Sequence, residues 1–243
     1  MRFSKNSLSI LFEDKYFIIV KKPAGIVVQG APKGKPSLWS ITREYIKERD
    51  SRPSLPFLGV VHRLDKPVSG AVVFAKRSKA ASKLFKVFTS HQVIKVYVAK
   101  VKGVLRGEGL WRDYFKWDER QKKAKLYSTF KKDTKEALTY YEVIDKGLVL
   151  LSPITGRKHQ LRAALSKRGC PVIGDVKYGG PPLSYPKAAI LLHEIYLSFY
   201  HPYLEEEIEV FAEVPKYFSV KHLDKRLILE FSYKVLKARE SLI

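Results

Sequence analysis

A single cysteine, Cys170, occurs in a chain of 243 residues. That excludes an intrachain disulfide and a cysteine-rich zinc site. Long hydrophobic runs are missing as well. The longest, AVVFA at 71–75 and AAILL at 188–192, are far too short to span a bilayer. Near the N-terminus, Glu13 and Asp14 interrupt the only apolar stretch before a signal-peptide core can form. Acidic residues are scarce: 24 Asp and Glu stand against 46 Lys and Arg, a formal charge of +22. A hydrophobic fraction of 45% with 12% aromatics excludes a disordered basic tail protein. A soluble, cytoplasmic globular protein is expected, one that either has a polyanionic partner or tolerates strong self-repulsion. Nucleic acid is favoured over an anionic membrane surface, because no long amphipathic basic helix stands out.

No internal repeat or low-complexity segment is present. LFEDKYFIIVKKPAG (11–25) reads as two short strands joined at Glu13-Asp14-Lys15 and closed by Pro23 and Gly25. SLWSITREYIKE (37–48) reads as a helix capped by Ser37, with Leu38, Ile41 and Tyr45 on one face. AVVFA is expected to be a buried strand. A helix near 78–88 follows, with Ser78 as its cap and Ala81, Leu84, Phe85 and Phe88 as its apolar stripe. Strands are expected at 93–101, 137–144, 148–152, 190–199 and 207–212, and a helix near 158–168. Strands outnumber helices without regular alternation, which argues for an α+β class on a mixed or antiparallel sheet. Residues 103–109 and 120–135 read as loops or hairpin arms. The second arm carries Arg120, Lys122, Lys123, Lys125, Lys131, Lys132 and Lys135, with Tyr127 and Phe130 between them. Basic residues interleaved with aromatics suit a contact that tracks an RNA backbone and stacks on bases; a solvated lysine-rich hairpin is the plainer alternative. The tail 225–243 reads as an appended strand or helix.

Two clusters carry candidate chemistry. HRLDKPVSG (62–70) places Asp65 on a tight turn between apolar segments, broken by Pro67 and Gly70. A carboxylate held there can act as a nucleophile or general base, or simply accept turn N–H bonds. His62 and Asp65 have no second His, Asp or Glu cluster at ligand spacing to make a metal site with them. TGRKHQLRAALSKRG (155–169) opens a helix whose apolar stripe is Leu161, Ala164 and Leu165. Arg157, Lys158 and Arg162 crowd its start, against the helix dipole. That cost is understandable if an arginine is held against a buried carboxylate or a phosphate.

Taken together, the segments FEDKYFIIVKKPAG, HRLDKPVSGAVVFAK, KVYVAKVKG, LTYYEVI, LSPITGRKHQLRAAL, GCPVIGDVKYG, LLHEIYLSFYHP and VFAEVP resemble, in order and spacing, the RluA-type RNA pseudouridine synthases. The resemblance implies an α+β pseudouridine synthase fold: a central mixed, largely antiparallel β-sheet flanked by helices and loops. It implies isomerisation of uridines in ribosomal RNA or tRNA, without cofactor or metal. By motif position Asp65 matches the catalytic aspartate, Tyr97 the tyrosine that stacks on the target base, and Arg162 the basic partner of the aspartate. Arg63 matches the residue that helps fill the gap left by the flipped nucleotide. His62, Arg157, Lys158, Lys122, Lys123 and Lys125 are the further RNA-contact candidates.

Three positions depart from the family pattern. Val68-Ser69-Gly70 stands for the usual Thr-Ser-Gly, Lys158 for a Thr after the TGR triplet, and Glu194 for a small residue after the LH pair. None removes a proposed catalytic group. The expected organisation is one catalytic domain over 1–224, no separate N-terminal RNA-binding module, and an extension over 225–243 packed on the same domain. A monomer is expected, since no apolar interface stripe is visible. An RNA-binding protein on the same fold that has lost catalysis, and a glycosidase that releases the base, are the alternatives.

Overall fold

The computed structural model describes residues 4–90, 92–220 and 223–242. In chain order it contains β1 (Ser9–Glu13), β2 (Phe17–Lys22), α1 (Leu38–Arg49), β3 (Gly59–Val60), β4 (Ser69–Ala75), α2 (Ser78–Thr89) and β5 (Ile94–Lys100). There follow β6 (Glu108–Asp118), β7 (Lys123–Tyr127), β8 (Lys135–Asp145), β9 (Leu148–Pro153) and α3 (Gln160–Lys167). The chain closes with β10 (Leu192–Tyr200), β11 (Glu207–Phe211) and α4 (Lys225–Glu240). The class is α+β as expected, a mixed sheet with four α-helices among the described residues. No described helix is long and apolar enough to cross a membrane.

The chain divides into two compact units, Met1–Val93 with Glu194–Glu213, and Ile94–His193 with Val214–Ile243. In the first unit the strand order is β1-β2-β4-β10, with β11 added to β10 and β3 to β4. All seven residues of β4 are buried, as the short apolar run predicts. Its antiparallel register with β2 runs from Phe17 opposite Ala75 to Lys22 opposite Gly70. The core beneath contains Phe17, Ile19, Val73, Leu197 and Phe199, closed by Ala80 and Leu84 of α2. Ser37 caps α1 as expected, its hydroxyl accepting from the Ser40 N–H.

Helix α2 departs from expectation in two details. Its N-cap is Arg77, and Ser78 is already its first helical residue. Its buried side carries Ala80 and Leu84, while Phe85 is 55% exposed. The sheet underneath selects which side of the helix is covered, and periodicity alone leaves neighbouring stripes equally apolar.

In the second unit the order is β5-β9-β8-β6-β7. Strand β6 was not expected, because its inward positions are Trp111, Asp113, Phe115 and Trp117. Asp113, 2% exposed, interrupts an otherwise apolar alternation; Lys167 and Arg168 neutralise it at 2.6 and 2.9 Å. Strands β6 and β7 form the hairpin arm, so the stretch 120–135 is partly strand. The C-terminal tail is a helix, α4, capped by Asp224. It packs Phe231 against Tyr140 and sets Lys234 between Glu108 and Glu142. The tail's last residue lies outside the described residues.

Gly70 marks a close approach of β4 to β10. Its φ of +139° and the 2.5 Å that would separate an added Cβ from the Glu194 backbone leave no room for a side chain. Gly70→Ala is expected to cost about 2–4 kcal/mol of stability, read from the urea midpoint. A loss below about 1 kcal/mol would show that β10 can yield.

Candidate active site

In the first unit, the turn bearing Asp65 is shaped from beneath by Lys22. This lysine ends the apolar strand β2 and is fully buried. Its Nζ donates to the carbonyls of Ile26 at 2.8 Å, Pro23 at 3.0 Å and Lys66 at 3.2 Å. Three acceptors match the three N–H bonds of an ammonium. Burial nevertheless pushes the Lys22 pKa down to about 7, opposed by the negative charge of Asp65. The Gly25 N–H also binds the Lys66 carbonyl at 2.8 Å, and the Val68 N–H binds that of Asp65 at 3.1 Å. The carboxylate therefore sits, half-buried, on a turn whose backbone is tied on both sides.

The neighbours of Asp65 differ in exposure. Arg63 is exposed, and no carboxylate among the described residues pairs with it. His62 is half-buried: its Nε2 accepts the Val73 N–H at 3.0 Å, and its ring stacks on Phe88 at 4.7 Å. That acceptor role calls for a ring unprotonated at Nε2.

In the second unit, Tyr97 lies on β5 opposite Leu151 and is buried. Arg162, on α3, is 5% exposed. Its guanidinium grips Asp175 in a two-pronged contact, Nε to Oδ2 at 2.7 Å and NH2 to Oδ1 at 2.8 Å, above the Tyr178 ring. An arginine held against a buried carboxylate is what the crowded helix start implied. The carboxylate itself, within the segment GCPVIGDVKYG, was given no role in advance.

The TGRKHQ turn ahead of α3 is pinned by Gln160. Its side-chain oxygen accepts from the Thr155 hydroxyl and the Arg157 N–H, and its amide donates to the Leu138 carbonyl and Thr139 Oγ1. Arg157 donates to the Glu136 carbonyl at 2.9 Å. His159 adopts φ of +57° and meets the Tyr178 hydroxyl, which also accepts the Ala124 N–H of the arm.

Five lysines of the arm and the TGRKHQ turn fall into two groups. Lys122 and Lys125 are ion-paired at 2.7 Å with Glu119 and Asp118. The bond to Asp118 raises the Lys125 pKa. Lys123, Lys131 and Lys158 instead lie over the rings of Tyr178, Tyr127 and Trp117, at 4.9, 4.4 and 3.8 Å from the centroids. Among the described residues, no group of three or more His, Cys, Asp or Glu could hold a metal ion.

The chain belongs to the RNA pseudouridylate synthase family, which residues 16–167 match. Among its relatives, tRNA pseudouridine synthase C of Vibrio vulnificus is 32% identical over 230 residues, 86% of this chain and 91% of that protein. The dual-specificity RNA pseudouridine synthase RluA of Vibrio cholerae is 33% identical over 204 residues, 80% of this chain and 78% of that protein. The solved structure of human RNA pseudouridylate synthase domain containing 4 superposes with a TM-score of 0.69 at 27% identity, covering 87% of this chain and 90% of that one. Within the family the chain is of RluA type, and its enzymatic class is RNA pseudouridine synthase, an isomerase.

Two outcomes test the supports of the site. Asp175→Ala removes the two-pronged carboxylate contact of a buried guanidinium and is expected to cost about 3–5 kcal/mol in urea unfolding, whereas Arg162→Met with Asp175→Leu should recover much of it. A single variant as stable as the native protein would mean that the fork carries no load. Lys22 makes the second case. Unfolded, it holds its proton to about 10.5; folded, it releases it near 7. Between those values the unfolded state binds more protons, so this group makes stability rise as pH climbs from 7 towards 10.5. Lys22→Met should remove that slope, seen as a native-minus-variant difference in unfolding free energy that changes across the window. A difference independent of pH would contradict it.

Proposed function

We propose that the protein converts uridines of structured RNA, tRNA or ribosomal RNA, into pseudouridine, with Asp65 as the nucleophile acting on a flipped-out nucleotide. The single observation that carries this reading is that the family match over residues 16–167 contains Asp65, Tyr97 and Arg162 together. The relative matched over 91% of its length is named for tRNA, which supports that substrate class.

The chemistry asks for an ionised carboxylate at a partly buried position. In this reading Arg162 is the basic partner of that carboxylate. The N1–C1′ bond of the uridine breaks and a C5–C1′ bond forms. The proton on C5 leaves to solvent and N1 gains one, so mass is unchanged. Extruding a stacked uridine costs a few kcal/mol. Tyr97 stacking on the base and Arg63 filling the vacated space would offset part of that. His62 is a further RNA contact beside Arg63. Arg157, Lys158, Lys122, Lys123 and Lys125 hold phosphates, with the ring-seated Lys123 and Lys158 contributing more than the ion-paired Lys122 and Lys125. Helix α4 is part of the same catalytic domain, which its contacts through Phe231 and Lys234 support.

The test is tritium release from RNA labelled at uracil C5, comparing native protein with Asp65→Ala on separate tRNA and ribosomal RNA pools. Release by the native protein alone is expected, at least about 10³-fold above the variant, as for loss of a nucleophile. Equal activity of the variant would defeat the assignment of Asp65. RNA bound without release would favour a non-catalytic binder, and an abasic product with free uracil would favour a glycosidase.

A further inference from the structure

The first unit carries a basic surface that none of the site motifs uses. Tyr16 and Tyr203 stack face to face, centroids 4.1 Å apart and planes 6° from parallel. Cations sit against this pair: Lys15 and Arg77 over Tyr16 at 4.9 and 6.0 Å, and Lys83 over Tyr203 at 4.2 Å. Lys79, Lys83 and Lys86 recur at helical spacing on the exposed side of α2. No carboxylate among the described residues pairs with Lys15, Arg77, Lys79, Lys83 or Lys86.

The nearby acids are engaged elsewhere or held apart. Asp14 accepts the Tyr16 and Phe17 N–H groups and meets buried His201 at 3.0 Å. Glu13 is taken by Arg49 and Lys76. Glu205 and Glu206, on the turn beside Tyr203, are exposed and bind none of these cations. His201 in turn accepts the Tyr203 and Leu204 N–H groups through Nδ1, fixing the ring pair from behind. The platform is thus rigid, and cation–π contacts hold three of its charges in place. Charges already held lose less conformational freedom when a partner binds.

Strand β2 separates this surface from Asp65. Tyr16 precedes its first residue, while Lys22, its last, is bonded to the turn that carries Asp65. The separation is about one strand length, roughly 17 Å for five rises.

We propose that this face is a second RNA-backbone contact, taking phosphates of the substrate RNA several nucleotides away from the uridine presented to Asp65. It rests on the reading of the protein as an RNA-modifying enzyme. The ligand chemistry is a run of phosphodiesters, since unpaired cations on a rigid frame suit a polyanion of regular charge spacing.

The test is equilibrium binding of bulk tRNA and bulk ribosomal RNA across a salt series. The combined Lys15→Ser, Arg77→Ser, Lys79→Ser and Lys83→Ser variant is compared with native protein. A second variant, Lys79→Glu with Lys86→Glu, leaves every ring contact intact and keeps the test valid should the first unfold. Each lost phosphate contact reduces the slope of log K against log salt by about 0.7–0.9. The first variant should therefore lose about 3–3.5 in slope and at least tenfold in affinity near 0.1 M salt, and the second should shift the same way. Native-like affinity and slope in folded variants would overturn the proposal. So would loss of binding to phosphatidylglycerol vesicles with RNA binding intact, which would assign the face to a membrane. Native protein that neither binds RNA nor releases tritium defeats the enzyme reading itself; native activity with unchanged slopes in the variants defeats only this surface.

Discussion

Lys22 has to keep its hydrogen bonds in a place that water does not reach, and much of the first unit follows from that demand. Its ammonium is surrounded by carbonyls from residues 23, 26 and 66, two immediately beyond its own strand and one from the turn after Asp65. A buried donor without acceptors costs more than a typical hydrogen bond returns, so these three segments are bound to converge. The register of β2 against β4 puts Lys22 opposite Gly70, where β10 comes too close for any side chain. The turn that presents Asp65 is thereby stretched between a buried cation and a tightly packed strand. Such placement is what the proposed role of Asp65 requires.

The second unit meets the same difficulty with a pair in place of a cage. Arg162 and Asp175 are both buried, and each helps to offset the desolvation of the other. Tyr178 connects this pair to the arm: its ring lies under the guanidinium, and its hydroxyl accepts from the Ala124 N–H. The TGRKHQ turn holds its shape through its buried glutamine, with Arg157 bonded to the Glu136 carbonyl beside it. Cations that the fold does not consume are left on aromatic faces, both along the arm and around Tyr16 and Tyr203. In a chain of net charge +22, some cations are taken by carboxylates, some rest on rings, and Arg162 does both.

A good share of the architecture was legible in the residues. The strands around Glu13-Asp14-Lys15, the buried β4 and the Ser37 cap all follow from apolar runs and turn chemistry that act locally. Strand β6 escaped notice because Asp113 stands at an inward position, where alternation calls for an apolar side chain. Phe85 was assigned to the wrong side of α2 because the choice belongs to the sheet beneath. The roles of Lys22 and Asp175 were equally hidden. A lysine after FIIV reads as the charged end of a strand, and an aspartate before VKYG reads as a turn residue, until their buried partners are known.

The sequence by itself determined the family, the α+β class and the ordered motifs that contain Asp65, Tyr97 and Arg162. Those depend on residue identity and spacing along the chain, which survive without coordinates. Tertiary structure alone decided which charges are buried, which carboxylate Arg162 grips, and which lysines rest on rings. Such pairings join residues distant along the chain, as with Lys22 and the Lys66 carbonyl, and their energies depend on the solvent each group has lost. Desolvation belongs to the folded arrangement and has no counterpart in a linear list of residues.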